Sequence, residues 1–396
     1  MPVELAKGVY WVGYVDWALR QFHGHELSTH RGSSYNAYLI TDEKNVLVET
    51  VWGPFSRELL KNIREIIDPA KIDVVVANHA EPDHSGALPA VMRHAPNATV
   101  LVSKRGMESV EGHYHQPWNF QAVQSGDRFS IGKRELVFIE APMLHWPDSM
   151  FTYLTGDNIL MSTDAFGEHY ATDFRFNDEV DQDELYQEAL KYYANILTPF
   201  SAAVSRKIED VLALNLPVNV IAPSHGVIWR KDPLQIVKKY REWAAQQPEK
   251  TAVVIYSSMW DATRHMAEAI GEGLFLENVP HKIFRMPITD VNDVVAEVFK
   301  ARAIIVGSST HKQGLLPSIT AVLEDLRTLK FRNKIGAAFG SYGWSGESVK
   351  IIEEHLAQSK IQKAADGVLV KWQPRPEDLA KCRELGAQVG QAIKQG

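Results

Sequence analysis

Four side chains of metal-binding types fall within six residues of this sequence. The segment after the apolar run Ile72–Ala77 reads NHAEPDHSG and supplies His79, Glu81, Asp83 and His84. Ionisable groups packed this closely repel or desolvate one another unless a cation or solvent compensates. Pro82 interrupts a regular helix, so we expect the four side chains to project from a stiff loop. A solvated polar loop explains any one of them, but the four together indicate a metal site.

Three more candidate ligands follow other apolar segments. They are His145 after FIEAPML, Asp164 after ILMST and His225 after VIAPS. Each is the first strong ligand after a predicted strand, so we expect all three at one rim of the fold. Alone, each is more often a loop histidine or a capping aspartate. Together with the first four they form a nitrogen and oxygen set that suits iron, manganese or zinc.

Polar loops of a second kind follow three strands nearer the C-terminus. The first, YSSMWDAT, joins the strand Thr251–Tyr256 to a helix that begins at Thr263. Hydroxyls and backbone N–H groups at a helix start suit a phosphate dianion. The loop lacks the GxGxxG and GxxxxGK[ST] motifs, so NAD and ATP have no support. Two more loops, GSSTHKQG after Ala303–Val306 and GSYGWSG after Ile335–Phe339, are expected to face the same crevice.

The elements that must position these groups divide near Pro248, in the polar stretch QQPEK. Residues 1–248 show clusters of short strands with helices between the clusters, which indicates two sheets between helices. Residues 251–396 show five strand–helix repeats, which indicate a doubly wound parallel sheet with its ligand beyond the carboxyl ends of the strands. We therefore predict an α/β protein of two domains, 1–248 and 251–396.

The sequence patterns predict twelve strands and seven helices. In the N-terminal domain the strands are Val9–Val15, Asn36–Ile40, Asn45–Thr50, Ile72–Ala77, Thr99–Ser103, Leu136–Glu140 and Val218–Ala222, and the helices Arg57–Ile67 and Glu184–Ile196. In the C-terminal domain the strands are Thr251–Tyr256, Lys282–Met286, Ala303–Val306, Ile335–Phe339 and Gly367–Lys371, and the helices Thr263–Leu274, Asn292–Lys300, Ile319–Leu329, Glu347–Ala357 and Pro376–Ile393.

Composition and charge exclude several classes of protein. The chain has 396 residues, of which 45% are hydrophobic and 23% charged, as in globular domains. A net charge of −7 argues against a nucleic-acid or anionic-membrane binder. No apolar run reaches the roughly 18 residues of a membrane span, and charges interrupt the N-terminal segment, so we expect no signal peptide. The single cysteine, Cys382, permits no internal disulfide and indicates a cytoplasmic protein.

The first loop resembles that of the metallo-β-lactamase fold, which reads His-x-His-x-Asp-His. Here Glu81 replaces the second histidine, and this variant is similar to the flavodiiron proteins, or A-type flavoproteins. The segments HWPDSM, STDAFG and PSHG around the three later ligands also resemble that family, and the resemblance covers the whole chain. It implies two irons bridged by Asp164, one bound by His79, Glu81 and His145 and the other by Asp83, His84 and His225.

The C-terminal loops resemble those that bind FMN in flavodoxins. Asp261 stands where the phosphate loop usually has a glycine, and an acid beside a phosphate is unfavourable unless its side chain turns outward. Tyr342 or Trp344 would form the aromatic wall against the isoalloxazine. The residues predicted to bind FMN are Ser258, Met259, Trp260, Asp261, Ala262, Thr263, Ser308, Ser309, Thr310, Ser341, Tyr342, Gly343, Trp344 and Gly346.

The resemblance also implies an activity. The family reduces dioxygen to water, nitric oxide to nitrous oxide, or both, with electrons passed through FMN to the diiron centre. A head-to-tail homodimer, or a dimer of such dimers, brings FMN of one subunit to the irons of the other. Because Cys382 alone cannot ligate a fused rubredoxin, we expect a separate electron donor, rubredoxin or another; some relatives in the family oxidise a reduced deazaflavin directly. His25 and Tyr193 match positions that line the substrate pocket, although packing roles fit them equally well.

Two other functions fit the same residues. One is a zinc or manganese hydrolase of the metallo-β-lactamase class with an accessory flavodoxin module. The exchange of an imidazole for Glu81 adds negative charge and favours an iron pair that reaches the ferric state over zinc. The other is an electron-transfer flavoprotein with a structural metal site. The ligand set does not rank dioxygen against nitric oxide.

Overall fold

The structure is a computed structural model that describes residues 1–395. It contains two compact units, one made of Met1–Tyr193 and Phe200–Ala244, the other of Ala194–Pro199 and the chain from Ala245 onward. The short segment in the second unit is tied there by the Asn292 Nδ2 group, which donates to Asn195 Oδ1 at 2.9 Å. The contiguous ranges 1–248 and 251–396 stay predictions. In the part of the chain described, no helix combines the length and apolar character that a membrane crossing needs.

The first unit contains sixteen strands and seven α-helices among the described residues. The strands are β1 (Val3–Ala6), β2 (Val9–Trp11), β3 (Tyr14–Asp16), β4 (Gln21–Phe22), β5 (Leu27–Ser28), β6 (Ser33–Tyr35), β7 (Tyr38–Ile40), β8 (Asn45–Val48), β9 (Ile72–Ala77), β10 (Thr99–Ser103), β11 (Asn119–Val123), β12 (Arg128–Ser130), β13 (Glu135–Glu140), β14 (Met150–Leu154), β15 (Ile159–Thr163) and β16 (Val220–Pro223). The helices are α1 (Ser56–Arg64), α2 (Pro82–Ser85), α3 (Leu88–His94), α4 (Lys104–Tyr114), α5 (Gln182–Tyr192), α6 (Ser201–Ala213) and α7 (Leu234–Ala245).

Two sheets lie face to face in this unit. One has the order β1-β2-β7-β8-β9-β10-β11 and the other β12-β13-β14-β15-β16. Side chains alternate along β8, so Leu47 packs with α1 and α3, whereas Val46 and Val48 pack with the second sheet. Helices α6 and α7 cover the other face of that second sheet. The predicted sandwich of two sheets between helices is confirmed.

The second unit is built on one parallel sheet. Its strands are β17 (Glu249–Ser257), β18 (His281–Arg285), β19 (Ala301–Ser309), β20 (Ile335–Tyr342), β21 (Gln362–Lys363) and β22 (Val368–Lys371), and its helices α8 (Ala262–Leu276), α9 (Val291–Lys300), α10 (Pro317–Leu329), α11 (Ser348–Gln358) and α12 (Pro376–Gln395). The order is β18-β17-β19-β20-β21, with β22 also paired to β20. Helices α8 and α12 pack on one face, and α9 to α11 contact the same strands. This order is that of flavodoxin-like folds, as predicted.

Two predicted elements of the first unit are wrong. The strand Val9–Val15 is divided into β2 and β3, which pair in different sheets. The break falls at Gly13, where a Cβ atom would lie 2.1 Å from the Tyr35 carbonyl oxygen. The helix Glu184–Ile196 ends as an α-helix at Tyr192, and a π-helical turn, Tyr193–Leu197, follows.

Candidate metal centre and cofactor cavity

All seven predicted metal ligands lie together at one rim of the sandwich. They follow the ends of β9, β13, β15 and β16, from both sheets. Pro82 is the first residue of the short helix α2 rather than part of a loop, because proline suits the first helical turn. The potential ligand atoms form three overlapping groups, each within 4.8 Å: His79, His84 and Asp164; His79, Glu81 and His145; Asp83, His84 and His225.

Asp164 lies between two pairs of imidazoles. Its Oδ2 atom is 3.7 Å from Nε2 of His79 and 3.7 Å from Nε2 of His145. Its Oδ1 atom is 3.2 Å from Nε2 of His84 and 3.4 Å from Nε2 of His225. Each carboxylate oxygen therefore faces one pair, which is the geometry needed to bridge two cations.

An outer carboxylate accompanies each imidazole pair. Glu81 Oε2 is 3.1 Å from Nε2 of His79 and 3.4 Å from Nε2 of His145. The second carboxylate, from Asp83, places Oδ2 3.2 Å from Nε2 of His84 and 3.1 Å from Nε2 of His225. The cluster thus consists of two equal sets, each with two imidazoles and one carboxylate.

The geometry of these atoms fits cations better than hydrogen bonds. Of the side chains in residues 1–395, several buried polar atoms lack a well-aligned hydrogen bond, and four belong to this cluster: Asp83 Oδ1, His84 Nε2, Asp164 Oδ2 and His225 Nε2. The two nitrogens nevertheless lie 3.1–3.4 Å from carboxylate oxygens. Atoms that approach without alignment converge on common points, as ligands do around an ion.

The electrostatics of the cluster also require positive charge. Although burial opposes it, hydrogen bonds to carboxylates, Asp148 first, raise the pKa of His79 to about 10. The pKa of His225 is raised to about 9 against the same burial, with Asp164 the main cause. Burial would raise the pKa of Asp164, but the charge of His84 holds it well below its usual range. Metal ions supply that positive charge when they replace imidazole protons.

Polar groups behind the cluster fix the orientation of two imidazoles. His79 donates from Nδ1 to Asp148 Oδ2 at 3.1 Å, and the Ala80 backbone N–H donates to the same oxygen at 2.8 Å. His225 donates from Nδ1 to the Ser34 carbonyl oxygen at 2.7 Å. Both rings therefore turn Nε2 toward Asp164, as metal-binding histidines do. Sequence reasoning missed Asp148, although it lies within the segment HWPDSM.

Neither of the two predicted pocket residues, His25 and Tyr193, reaches the cluster. In each case a residue close to it in the sequence does. His25 is exposed and hydrogen-bonded to Gln21, whereas His23 places Nε2 2.9 Å from Glu81 Oε1. Tyr193 is buried in the core, with its hydroxyl 3.2 Å from Ser201 Oγ. The hydroxyl that reaches the cluster belongs to Tyr192, which donates to Asp164 Oδ1 at 2.9 Å.

A cavity of about 500 Å³ opens at the carboxyl ends of the parallel strands in the second unit. Nine of the predicted cofactor-binding residues line it: Met259, Trp260, Ala262, Ser309, Thr310, Ser341, Tyr342, Gly343 and Trp344. Sequence reasoning missed six lining residues: His311, Lys312, Gln313, Ser345, Trp372 and Gln373. The volume is that of a small-molecule site.

Hydroxyl groups form the floor beside this cavity. Thr263 does not line the cavity but is fully buried, with Oγ1 3.0 Å from Ser309 Oγ and 2.9 Å from Ser341 Oγ. The Ser258 Oγ atom is buried without a hydrogen-bond partner in the described chain. No side chain caps the start of α8, so its N–H groups are available to an anion. These groups fit a phosphate.

Asp261 adopts the backbone conformation that the usual glycine would have. Its φ angle is +60°, in the left-handed region. Its carboxylate does not line the cavity and lies 3.6 Å from Arg264 and 3.9 Å from Arg285. The side chain therefore turns away from the cavity, which is the condition under which an acid is acceptable beside a phosphate.

Two other predicted cofactor residues make contacts within the protein. Ser308 donates to the Ser309 carbonyl oxygen at 2.8 Å and accepts from the Leu316 N–H at 3.1 Å, so its hydroxyl is used within the protein. Gly346 lies against Leu369, and a Cβ atom there would be 2.9 Å from Cδ2 of that exposed side chain. Neither residue lines the cavity.

Comparison with known proteins identifies both units. The profile of the ODP family beta lactamases matches residues 34–226, and the flavodoxin profile matches residues 254–386. The nitric oxide reductase of Moorella thermoacetica is 48% identical over 394 residues, which are 99% of each chain.

Solved structures extend the likeness to the whole chain. The rubredoxin oxygen:oxidoreductase of the anaerobe Desulfovibrio gigas is 37% identical, with a TM-score of 0.98 over 100% of this chain and 99% of that one. The flavodiiron protein of Giardia intestinalis is 34% identical, with a TM-score of 0.95 over 100% and 97%. The flavodoxin match implies FMN, and these relatives imply a diiron site. The chain belongs to the flavodiiron proteins, a family of oxidoreductases.

Proposed function

We propose that this chain reduces nitric oxide to nitrous oxide, and dioxygen to water, with electrons passed through FMN to a diiron centre. The observation that carries the proposal is Asp164, whose two oxygens face two equal sets of ligands. A carboxylate whose two oxygens face two separate sets of ligands is expected in a site for two metal ions and not in a site for one.

The proposed roles of the residues follow from these sets. Asp164 would be shared by both irons, with the remaining ligands divided as His79, Glu81 and His145, and Asp83, His84 and His225. When bound, the iron pair and FMN would each supply two electrons, enough to couple two nitric oxide molecules or to reduce one dioxygen. FMN would lie in the 500 Å³ cavity with its phosphate at the start of α8.

The chain's own residues orient the site and handle protons. Asp148 and the Ser34 carbonyl oxygen hold two imidazoles with Nε2 inward. Both gas reductions consume protons. His23 is about a third exposed and donates from Nε2 to Glu81 Oε1, so it can take a proton from solvent and hold it beside the site.

Both gases are proposed because relatives are named for each. The 48% identical Moorella protein is a nitric oxide reductase, and the 37% identical Desulfovibrio protein is named for oxygen and for rubredoxin. A separate rubredoxin is accordingly the proposed donor, and the cytoplasm the proposed location. The proposed head-to-tail dimer is supported by Trp260 and Trp344. Both side chains lie at the cavity, 83% and 87% exposed, and a partner subunit would bury their apolar surface.

The test measures cofactors and turnover in one preparation. We expect about two irons and one FMN per chain, with nitrous oxide formed from nitric oxide and water from dioxygen when reduced rubredoxin is supplied. Zinc or manganese with hydrolase activity and no gas reduction would contradict the proposal. Flavin reoxidation without nitrous oxide or water would instead indicate simple electron transfer.

A further inference from the structure

An apolar cavity lies between the second sheet and two helices of the first unit. It has a volume of about 90 Å³ and is lined by the second sheet and by helices α6 and α7. The sheet contributes Phe151, Leu160 and Ile221, and α6 contributes Val204 and Ile208. Of its sixteen lining residues, thirteen carry only hydrocarbon side chains.

The three polar lining residues offer little to a water molecule. The Tyr153 hydroxyl already lies 2.7 Å from the Pro217 carbonyl oxygen, and Lys207 faces Asp210 at 3.5 Å. The third is Tyr240, whose ring packs on Phe166 with 4.8 Å between centroids and whose buried hydroxyl has no hydrogen-bond partner among the described residues. A buried water needs two to four polar partners, and the one unpaired hydroxyl of Tyr240 does not supply them; an apolar cavity of about 150 Å³ stays dry and binds xenon.

The lining of the cavity includes both exposed residues and buried residues that are close to candidate metal ligands in the sequence. Its exposed residues include Leu212 and Leu234, which are 41% and 39% exposed. In the same lining, Leu144 immediately precedes His145, and Phe166 follows Asp164 by two residues. Both of these residues are buried. The lining therefore includes residues of the two loops that carry one ligand of the first set and the shared carboxylate.

Size and polarity limit what this cavity can hold. Drug-sized ligands and cofactors need about 300 Å³ or more. Ions and polar metabolites would lose their hydration with almost no compensation. Nitric oxide and dioxygen are small, uncharged and more soluble in apolar media than in water. We propose that the cavity is a binding site for the diatomic gas substrate, from which the gas reaches the metal centre. This inference rests on the proposed function.

The direct test uses xenon, a probe of similar size and polarity. Crystals of the protein loaded with iron and FMN are pressurised with xenon, and we expect a xenon atom between Val204 and Ile208. A cavity without xenon in an enzyme that reduces gas would overturn this inference and leave the proposed function intact. Xenon in the cavity of a loaded enzyme that reduces neither gas would contradict the proposed function and, with it, the assigned occupant.

Substitution separates gas binding from packing. Val204→Phe fills the cavity from α6, and Ala202→Phe puts the same side chain on the exposed face of that helix as a control. We expect Val204→Phe to exclude xenon and to raise the KM for gas several-fold, measured separately for nitric oxide and dioxygen, and Ala202→Phe to do neither. An unchanged KM after xenon is excluded would overturn the inference. If Val204→Phe does not fold, the same test is made with Val211→Phe, because Val211 is a half-buried residue of the cavity lining.

Discussion

At the scale of single residues, the different directions of the two Asp164 carboxylate oxygens determine what the candidate metal centre can do. One oxygen faces His79 and His145, and the other faces His84 and His225. Any shift of this side chain alters both sets at once, whereas a change in Glu81 or another outer ligand alters one set directly.

Replacement of Asp164 by alanine tests this role. We expect Asp164→Ala to lose both irons, with metal affinity lowered by more than about 100-fold, because even residues behind the ligands cost 10- to 100-fold. FMN content should stay at the wild-type value, because the cofactor cavity is lined only by residues of the other unit. Metal analysis and the flavin absorbance measure the two contents. Retention of both irons would contradict the shared role.

Asp148→Asn is the matched comparison at the same scale. It keeps the size of the side chain but weakens the acceptor of the His79 N–H and Ala80 N–H groups. We expect metal affinity to fall by about 10- to 100-fold, less than for Asp164→Ala, with an intact fold by circular dichroism. Metal affinity equal to the wild type would show that Asp148 does not position His79.

The grouping of the seven candidate ligands could be predicted because their residue types and positions after apolar strands are visible in the sequence. Which of two residues close together in the sequence reaches the cluster could not be predicted. Successive residues of a helix point about 100° apart, so the end of α5 decides whether Tyr192 or Tyr193 faces Asp164. Likewise, the turn between β4 and β5 decides that His23 rather than His25 reaches Glu81. Tertiary packing sets both, and no local pattern records it.

At the scale of elements, the start of α8 combines a phosphate site with an unfavourable residue. Asp261 has φ +60°, a conformation that glycine adopts more readily than aspartate, and it brings a negative charge near the proposed phosphate. We expect Asp261→Gly to tighten FMN binding by about five- to tenfold, or about 1 kcal/mol, measured by flavin fluorescence quenching.

Asp261→Asn separates the two causes. Asparagine tolerates the left-handed conformation but carries no charge. Equal gains in both variants would assign the effect to charge repulsion, and a gain in glycine alone would assign it to the backbone. Weaker binding in both would mean that Asp261 supports the loop through Arg264 and Arg285.

A backbone carbonyl group near the end of helix α9 accepts a hydrogen bond from a buried lysine, Lys334. Lys334 donates from Nζ to the Phe299 carbonyl oxygen at 2.7 Å and also to that of Ala301. Burial, with the charge of Arg302, lowers its pKa from 10.5 to about 7. Between these pH values the unfolded chain binds more protons than the folded chain, so this group makes the free energy of unfolding rise with pH.

The Lys334→Met variant should lack this pH dependence. From pH 7 to 9, the free energy of unfolding of the wild type should rise relative to the variant by about 1 to 2 kcal/mol. Urea denaturation of both proteins at the two pH values measures the difference. A constant difference would mean that Lys334 keeps its usual pKa in the fold.

The elements of the second unit were predicted more completely than those of the first. Regular alternation of strand and helix leaves each period visible, and all five repeats are confirmed. The first unit mixes short strands with turns. There Gly13 divides one predicted strand, and Pro82 begins a helical turn where a loop was expected.

At the scale of the whole molecule, the proposed head-to-tail dimer predicts complementation. Asp164→Ala should remove the irons, and Ser309→Asp, which puts a carboxylate into the hydroxyl cluster, should remove FMN. Each variant alone should be inactive. A mixed dimer should recover about half of the wild-type activity, because one of its two interfaces pairs an intact FMN site with an intact metal site.

The measurement is nitric oxide reduction after the two variants are co-expressed and the mixed dimer is isolated by two affinity tags. Separately purified variants, combined without subunit exchange, are the control. An inactive mixed dimer in which each subunit retains its own remaining cofactor would contradict the head-to-tail arrangement.

The spacing of the ligands along the chain sets the order in which the protein can mature. The first ligand is His79 and the last is His225, which follows β16. A ribosome must therefore release more than half of the chain before the metal centre is complete. Until then Asp83 and Asp164 lack their last imidazole, so a nascent chain presents the second set of candidate ligands without His225. The second set of candidate ligands is therefore completed only once β16, the last strand of the second sheet, has been made.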